Sequence, residues 1–425
     1  MRFSTEWIDH GPNASAEERA TLCRFRLYVS EENACRFFDP SSDSACDHVT
    51  VPAVHLAEGL ATDWWSLFGG RDREHPIRNY RTGFAFPNVK LGFDGSTFEV
   101  RGEQFASENP DLRFWQVGGE GLPRDVAEST LVKFIEEVVR RLATAGVSNS
   151  EVALRWSRVS RSLNDLEERA FCEAAGALGI DPYGVSESDA KFIEKAADLF
   201  SGEALLEFLA GIGGEARGEL LSWVREVDER PPAQSCLPQL RDIVGRFGRD
   251  GSRRPAERGW ATGYRAAREF RDVTEIARDE RFVSLSDIAR RLGSESFACT
   301  PGIRGALALV CREENDVRIH VRERGSAHWA RQAESFAFAR AIGDVVCFGD
   351  ARRSVVNSLH QAERQAAGRA FAAEFLAPVE SVLDMVESGL DDDEIAGSFH
   401  VSPQVIARQI ENRDRIREAC TERPD

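Results

Sequence analysis

Hydrophobic positions change their period along this chain, and the changes divide it. Residues 1–121 carry short apolar runs of the kind strands bury. These are Cys23 to Tyr28, Leu112 to Val117, and Asn88 to Val100, which the Asp94-Gly95 pair predicts to fold as a hairpin. Leu56 to Phe68 is spaced as a helix and holds the adjacent Trp64 and Trp65, residues more often found in cores than on binding surfaces. From 122 to 230 the helical period takes over. Within Val126 to Ala145, residues Leu131, Phe134, Ile135, Val138, Val139 and Leu142 form one apolar stripe. Further helices are predicted over Glu167–Leu178, Ser188–Phe200, Gly202–Ala210 and Ala216–Val227, with Asp181-Pro182 and Gly213-Gly214 as breaks. Pro231-Pro232 and the Gly, Ser and Arg-rich stretch from Arg249 to Pro255 mark a linker over 231–257.

The last stretch, 258–425, mixes the two periods. Ser284 is a plausible N-cap and Gly293 a stop for a short helix between them. Ala306 to Cys311 and Val317 to Val321 read as strands joined by the polar turn Glu313-Glu314-Asn315-Asp316. Two long helical segments follow. The chain is therefore expected to be α+β: an N-terminal mixed region, a central helical region, and a C-terminal helical domain with a small β-sheet.

Composition narrows the function classes. The chain has 425 residues, 42% of them apolar, enough for about three domains with real cores. Its apolar runs fall well short of the ~20 residues a membrane span requires, and Met1 to Glu6 lacks the apolar core of a signal peptide. The nine cysteines are odd in number and include no Cys-x-x-Cys pair, which points to reduced thiols and a cytoplasmic setting. A formal charge of −17 argues against general affinity for nucleic acid, whose phosphates must be neutralised by Lys and Arg. Arg241, Arg246, Arg249, Arg253, Arg254 and Arg258 around the linker are largely offset by Asp242, Asp250 and Glu257. Residues Asp393 to Ile410 have a helix-turn-helix outline that would present Gln404, Arg408 and Glu411, which makes a DNA-binding regulator a second alternative, although Asp391, Asp392, Asp393 and Glu394 open it with charge that repels DNA. Gly118-Gly119-Glu120-Gly121 lacks the Lys-Ser/Thr of a phosphate loop. His10, His48, His55, His75, His320, His328 and His400 show no ligand spacing, and no serine nucleophile elbow is present.

Two segments carry the most information. One is Phe336-Ala337-Phe338-Ala339-Arg340-Ala341-Ile342-Gly343-Asp344-Val345-Val346, and the other is Phe371-Ala372-Ala373-Glu374-Phe375-Leu376-Ala377-Pro378. Together they resemble the two active-site helices of the ImmA/IrrE family of zinc metallopeptidases, with the zinc chemistry removed. Trp260 to Arg268, the capped helix after Ser284, the strand pair, Asp63-Trp64-Trp65 and Phe171 to Tyr183 resemble segments of long members. In that family the first helix bears His-Glu-x-x-His, whose two histidines, one turn apart, share a metal ion while the Glu serves as general base. The resemblance sets Arg340 at the first His, Ala341 at the Glu, Asp344 at the second His and Gln365 at the third ligand. Arg binds no cation and Ala accepts no proton. Arg340 and Asp344 are instead expected to form an i,i+4 ion pair. The resemblance thus implies a zincin-like fold without bound zinc: a cytoplasmic, regulatory or stress-response pseudopeptidase that binds a protein or peptide, such as a transcriptional repressor, in the groove beside the Arg340 helix. An alternative retains hydrolysis through a rearranged zinc site of Asp344, His360 and Glu363.

Overall fold

The computed structural model describes residues 1–8, 14–40, 42–70, 73–103, 112–212, 217–229, 236–247, 258–277, 279–281, 284–294, 297, 299–303, 305–313, 317–349, 351–359 and 362–421. The chain is α+β and forms two compact units, Met1–Ser186 and Glu187–Asp425. The helices expected to make a separate domain over 122–230 are shared between these units. The reason is visible in the stripe of the helix Arg124–Thr144. Leu131, Phe134, Ile135, Val138 and Leu142 are buried, and Phe134 stacks on Phe3 with ring centroids 4.5 Å apart. That stripe is the cover of the N-terminal sheet.

In the N-terminal unit Arg2–Trp7 pairs antiparallel with Leu22–Val29, in a register running from Arg2 opposite Tyr28 to Trp7 opposite Cys23. Val49–Pro52 pairs with the other edge of Leu22–Val29. A second sheet has the order Gly119–Pro123, Thr97–Gly102, Val89–Phe93, Glu74–Pro76. Its central hairpin turns at Asp94-Gly95 as expected. Asp94 Oδ1 accepts from the backbone N–H of Ser96 and Thr97, and Gly95 takes φ +106°. The expected strand Leu112–Val117 shrinks to Arg113–Phe114, paired with Phe37–Asp39.

The helical spacing over Leu56–Phe68 resolves into two helices, Ala53–Thr62 and Trp64–Gly69, broken at Asp63. Trp64 and Trp65 are core residues, 1% and 2% exposed, and Trp64 meets Trp156 edge-on. The second helix lies tight against Leu166–Leu178. A Cβ on Gly176 would come within 2.1 Å of the Trp65 carbonyl oxygen, so only glycine permits this approach.

The C-terminal unit opens with Glu187–Ala197, Gly202–Ala210 and Arg217–Glu229, followed by Pro238–Phe247. This last helix falls inside the expected linker. Leu237 and Leu240 are fully buried and the Leu237 N–H donates to the Val317 carbonyl, so this helix is anchored in the unit's core through Leu237, Leu240 and Ile243. The rest of that linker, including Arg249 to Pro255, lies outside the described residues, as do Gly213-Gly214 and most of the turn after Glu313. Three antiparallel strands form the sheet, in the order Val317–Val321, Ala308–Arg312, Arg353–Val356. One face carries Ala308, Val310, Val317, Ile319 and Val321 into the core with the helix His328–Cys347. The helix Glu363–Leu376 packs on that helix and on the entry helix Gly259–Val273. Phe270 sits edge-on to both Phe371 and Phe375. Among the described residues no helix is long and apolar enough to cross a membrane.

Candidate polar centre

The Arg340 helix is buried around most of its girth, because the sheet covers one side and the Glu363–Leu376 helix the other. Its polar residues at 340 and 344 therefore have to find partners inside the protein. Arg340 is 5% exposed, and its Nη2 donates to the Asn357 carbonyl (2.8 Å) and to Gln365 Oε1 (2.9 Å). Gln365 Oε1 also accepts from the Asn357 backbone N–H (3.0 Å), while its Nε2 donates to Glu207 Oε2 (2.7 Å) and the Val355 carbonyl (3.1 Å). Both ends of the amide are thus fully used, and its orientation is dictated by its neighbours.

The expected Arg340–Asp344 pair does not form. Asp344 faces two other arginines: Arg312 Nη2 donates to Oδ2 at 2.7 Å, and Arg364 Nε lies 2.6 Å from Oδ1. Ser354 Oγ also donates to Asp344. The physical reason is direction. Arg340 extends toward the loop after the edge strand and the N-terminal turn of the Gln365 helix, whereas Asp344 lies under the strands that carry Arg312 and Ser354. Burial would raise the Asp344 pKa, but the charges of Arg364 and Arg312, with hydrogen bonds from Arg364 and Ser354, hold it below the usual carboxylate value.

Glu207 enters this centre from the helix Gly202–Ala210 and is 2% exposed. Burial first, then Glu203, pushes its pKa up to about 8, against the pull of Arg364 and the Gln365 amide. Its Oε1 meets no hydrogen-bond partner among the described residues. Burial also lowers the Arg340 pKa to about 9, Arg369 adding to the effect, yet the guanidinium stays charged at neutral pH. On the sheet face carrying Arg318 and Arg353, His320 is 1% exposed, and neither ring nitrogen finds a hydrogen-bond partner among the described residues. Burial first, then Arg318, lowers its pKa to about 4.

The four positions matched to the metallopeptidase motif, Arg340, Ala341, Asp344 and Gln365, do converge, and all are buried. Among the described residues Gln365 already occupies the Val355 carbonyl and the Asn357 N–H, the groups beside the edge strand that an added peptide strand would need. Of the rearranged metal set, Asp344 is committed to two guanidinium groups, Glu363 is buried at the start of the Gln365 helix, and His360 lies outside the described residues. A zinc ion at Asp344 would meet the charges of Arg312 and Arg364, so Asp344 as placed here does not fit a divalent cation. Among the described residues no group of three or more His, Cys, Asp or Glu could hold a metal.

Sequence reasoning missed Arg312, Ser354, Asn357, Arg364 and Glu207. Only Glu207 announces itself, as a charged residue inside the apolar run Leu205-Leu206-Glu207-Phe208-Leu209. The helix-turn-helix outline does give two helices, Asp392–Phe399 and Pro403–Glu411. Gln404, Arg408 and Glu411 are exposed, but Arg408 pairs with Glu411, and Gln409 turns inward to donate to Glu374 and Ala377. No family model, curated protein or solved structure matches this chain.

Proposed function

We propose that the chain is a non-catalytic relative of the ImmA/IrrE metallopeptidases: a cytoplasmic regulatory or stress-response protein that acts by binding another protein, such as a transcriptional repressor. One observation carries this reading. The side chains of Arg340, Asp344 and Gln365 are bonded to one another or to neighbouring residues, and Ala341 has no group to accept a proton. Peptide capture in the groove beside the Arg340 helix is not part of the reading; the partner would bind an outer surface.

The test is zinc per chain in natively purified full-length protein, beside Asp344→Ala. The expected result is no stoichiometric zinc and a melting temperature unmoved by chelator. Near-stoichiometric zinc, lost in Asp344→Ala, would restore the peptidase reading.

A further inference from the structure

The N-terminal unit holds a second constellation, built at the break between two helices. Asp63 closes Ala53–Thr62 and opens Trp64–Gly69, which places Ser66 one turn beyond it. The short strand Glu74–Pro76 brings His75 across both. Ser66 Oγ lies 3.2 Å from His75 Nε2, and His75 Nδ1 lies 3.6 Å from Asp63 Oδ2. Tyr80 donates its hydroxyl to the same Asp63 oxygen at 2.6 Å.

The two ring nitrogens therefore face different chemistry. Nδ1 lies 3.6 Å from a carboxylate, beyond direct hydrogen-bond distance, and that charge favours the tautomer with its proton on Nδ1, in which Nε2 accepts from the serine hydroxyl. Burial tends to raise the Asp63 pKa, but His75 and Tyr80 favour its charged form and hold it low, so the carboxylate stays ionised. Ser66 is half-buried, and the Asp63 side chain is 38% exposed. This is the relation of nucleophile, base and orienting carboxylate used in acyl transfer.

The geometry points to Ser66 as an activated nucleophile toward small carboxylic esters, with His75 as its base and Asp63 and Tyr80 as positioning residues. In that reaction Ser66 Oγ bonds to the carbonyl carbon as its proton passes to His75 Nε2. The bond from that carbon to the alkoxy oxygen breaks, and the leaving oxygen takes the proton from His75. Water then attacks the acyl-serine, giving its proton to Nε2. Ser66 recovers that proton, and the carboxylic acid departs.

The test treats the full chain with a fluorophosphonate probe and reads the adduct by intact and peptide mass, with p-nitrophenyl acetate hydrolysis beside it. One adduct on Ser66 is expected, abolished in Ser66→Ala. His75→Gln should slow labelling by about 10²-fold or more, the usual scale of general-base assistance, at a matched melting temperature. Asp63→Asn should slow labelling, and Asp63→Glu should recover part of the rate, which a purely structural role would not do. No adduct on the folded parent, an adduct on another residue, or a rate indifferent to His75→Gln would overturn the assignment. A second base variant, His75→Asn, keeps the test valid if His75→Gln fails to fold.

Discussion

The two polar clusters of this protein invite comparison because they treat the same kinds of group in opposite ways. Around Arg340 and Asp344 the charged groups are buried, and each is bonded to neighbouring side chains or carbonyls, although atoms such as Arg340 Nε and Glu207 Oε1 meet no hydrogen-bond partner among the described residues. At Ser66 and His75 the network is short and partly exposed, with the Asp63 side chain 38% and the His75 side chain 12% exposed, and it ends on a hydroxyl whose only described side-chain partner is a histidine. The first arrangement gives up reactivity and, once assembled, punishes removal of any member. The second tolerates loss of a partner, because water can replace it. Burial, more than residue type, separates a structural polar cluster from one able to do chemistry.

The sharpest way to break this comparison is to delete a charge from the buried centre. Asp344→Ala leaves Arg312 and Arg364 facing each other inside the protein, and urea unfolding should show a loss of about 3–5 kcal/mol. Gln365→Ala removes the amide that links Arg340, Glu207 and the edge strand. A loss of about 2–3 kcal/mol is expected in the same assay, chiefly from polar groups left unsatisfied.

Acid titration sharpens the contrast further. His320 binds its proton near 6.5 when unfolded but only near about 4 in the fold. Stability should therefore fall as pH drops from 6.5 toward 4, by about 3 kcal/mol in all, and His320→Phe should flatten that slope. Glu207 has the opposite sign. Its folded pKa of about 8 lies above the ordinary 4.5, so its contribution is lost as pH rises through that window, and Glu207→Gln should remove the loss. Thermal melts across the pH range read both. The smallest effect belongs to the open cluster. Tyr80→Phe should lower stability by about 1 kcal/mol, because the half-exposed Asp63 can take water in place of the lost hydroxyl.

Much of the fold was legible from local pattern. The Asp94-Gly95 hairpin, the stripe from Leu131 to Leu142 and the strand Val317–Val321 follow from turn chemistry and periodicity. The third strand, Arg353–Val356, was not legible. Four residues give too little alternation, and its charged first residue is buried against Asp228 and the Leu199 carbonyl, far away in the sequence. The polar centre was half legible. The motif frame brought Arg340, Asp344 and Gln365 to notice, but the i,i+4 rule paired Arg340 with Asp344 as if on an isolated helix. In the fold, arginines 20 and 32 residues away from Asp344 win. Ser66 and His75 stayed invisible for the same reason. Nothing in a nine-residue separation across a helix and a strand signals contact, and His75 read as an isolated histidine.

The pair of guanidinium groups on Asp344 also sets an order of operations for redesign. Placing a histidine at 344 first would leave Arg312 and Arg364 without their shared anion, and the intermediate would be the least stable protein of the series. Arg312 and Arg364 must be exchanged for neutral residues before, or together with, any change at 344. A path made of single replacements at the motif positions alone runs through a trough, so this region resists stepwise conversion.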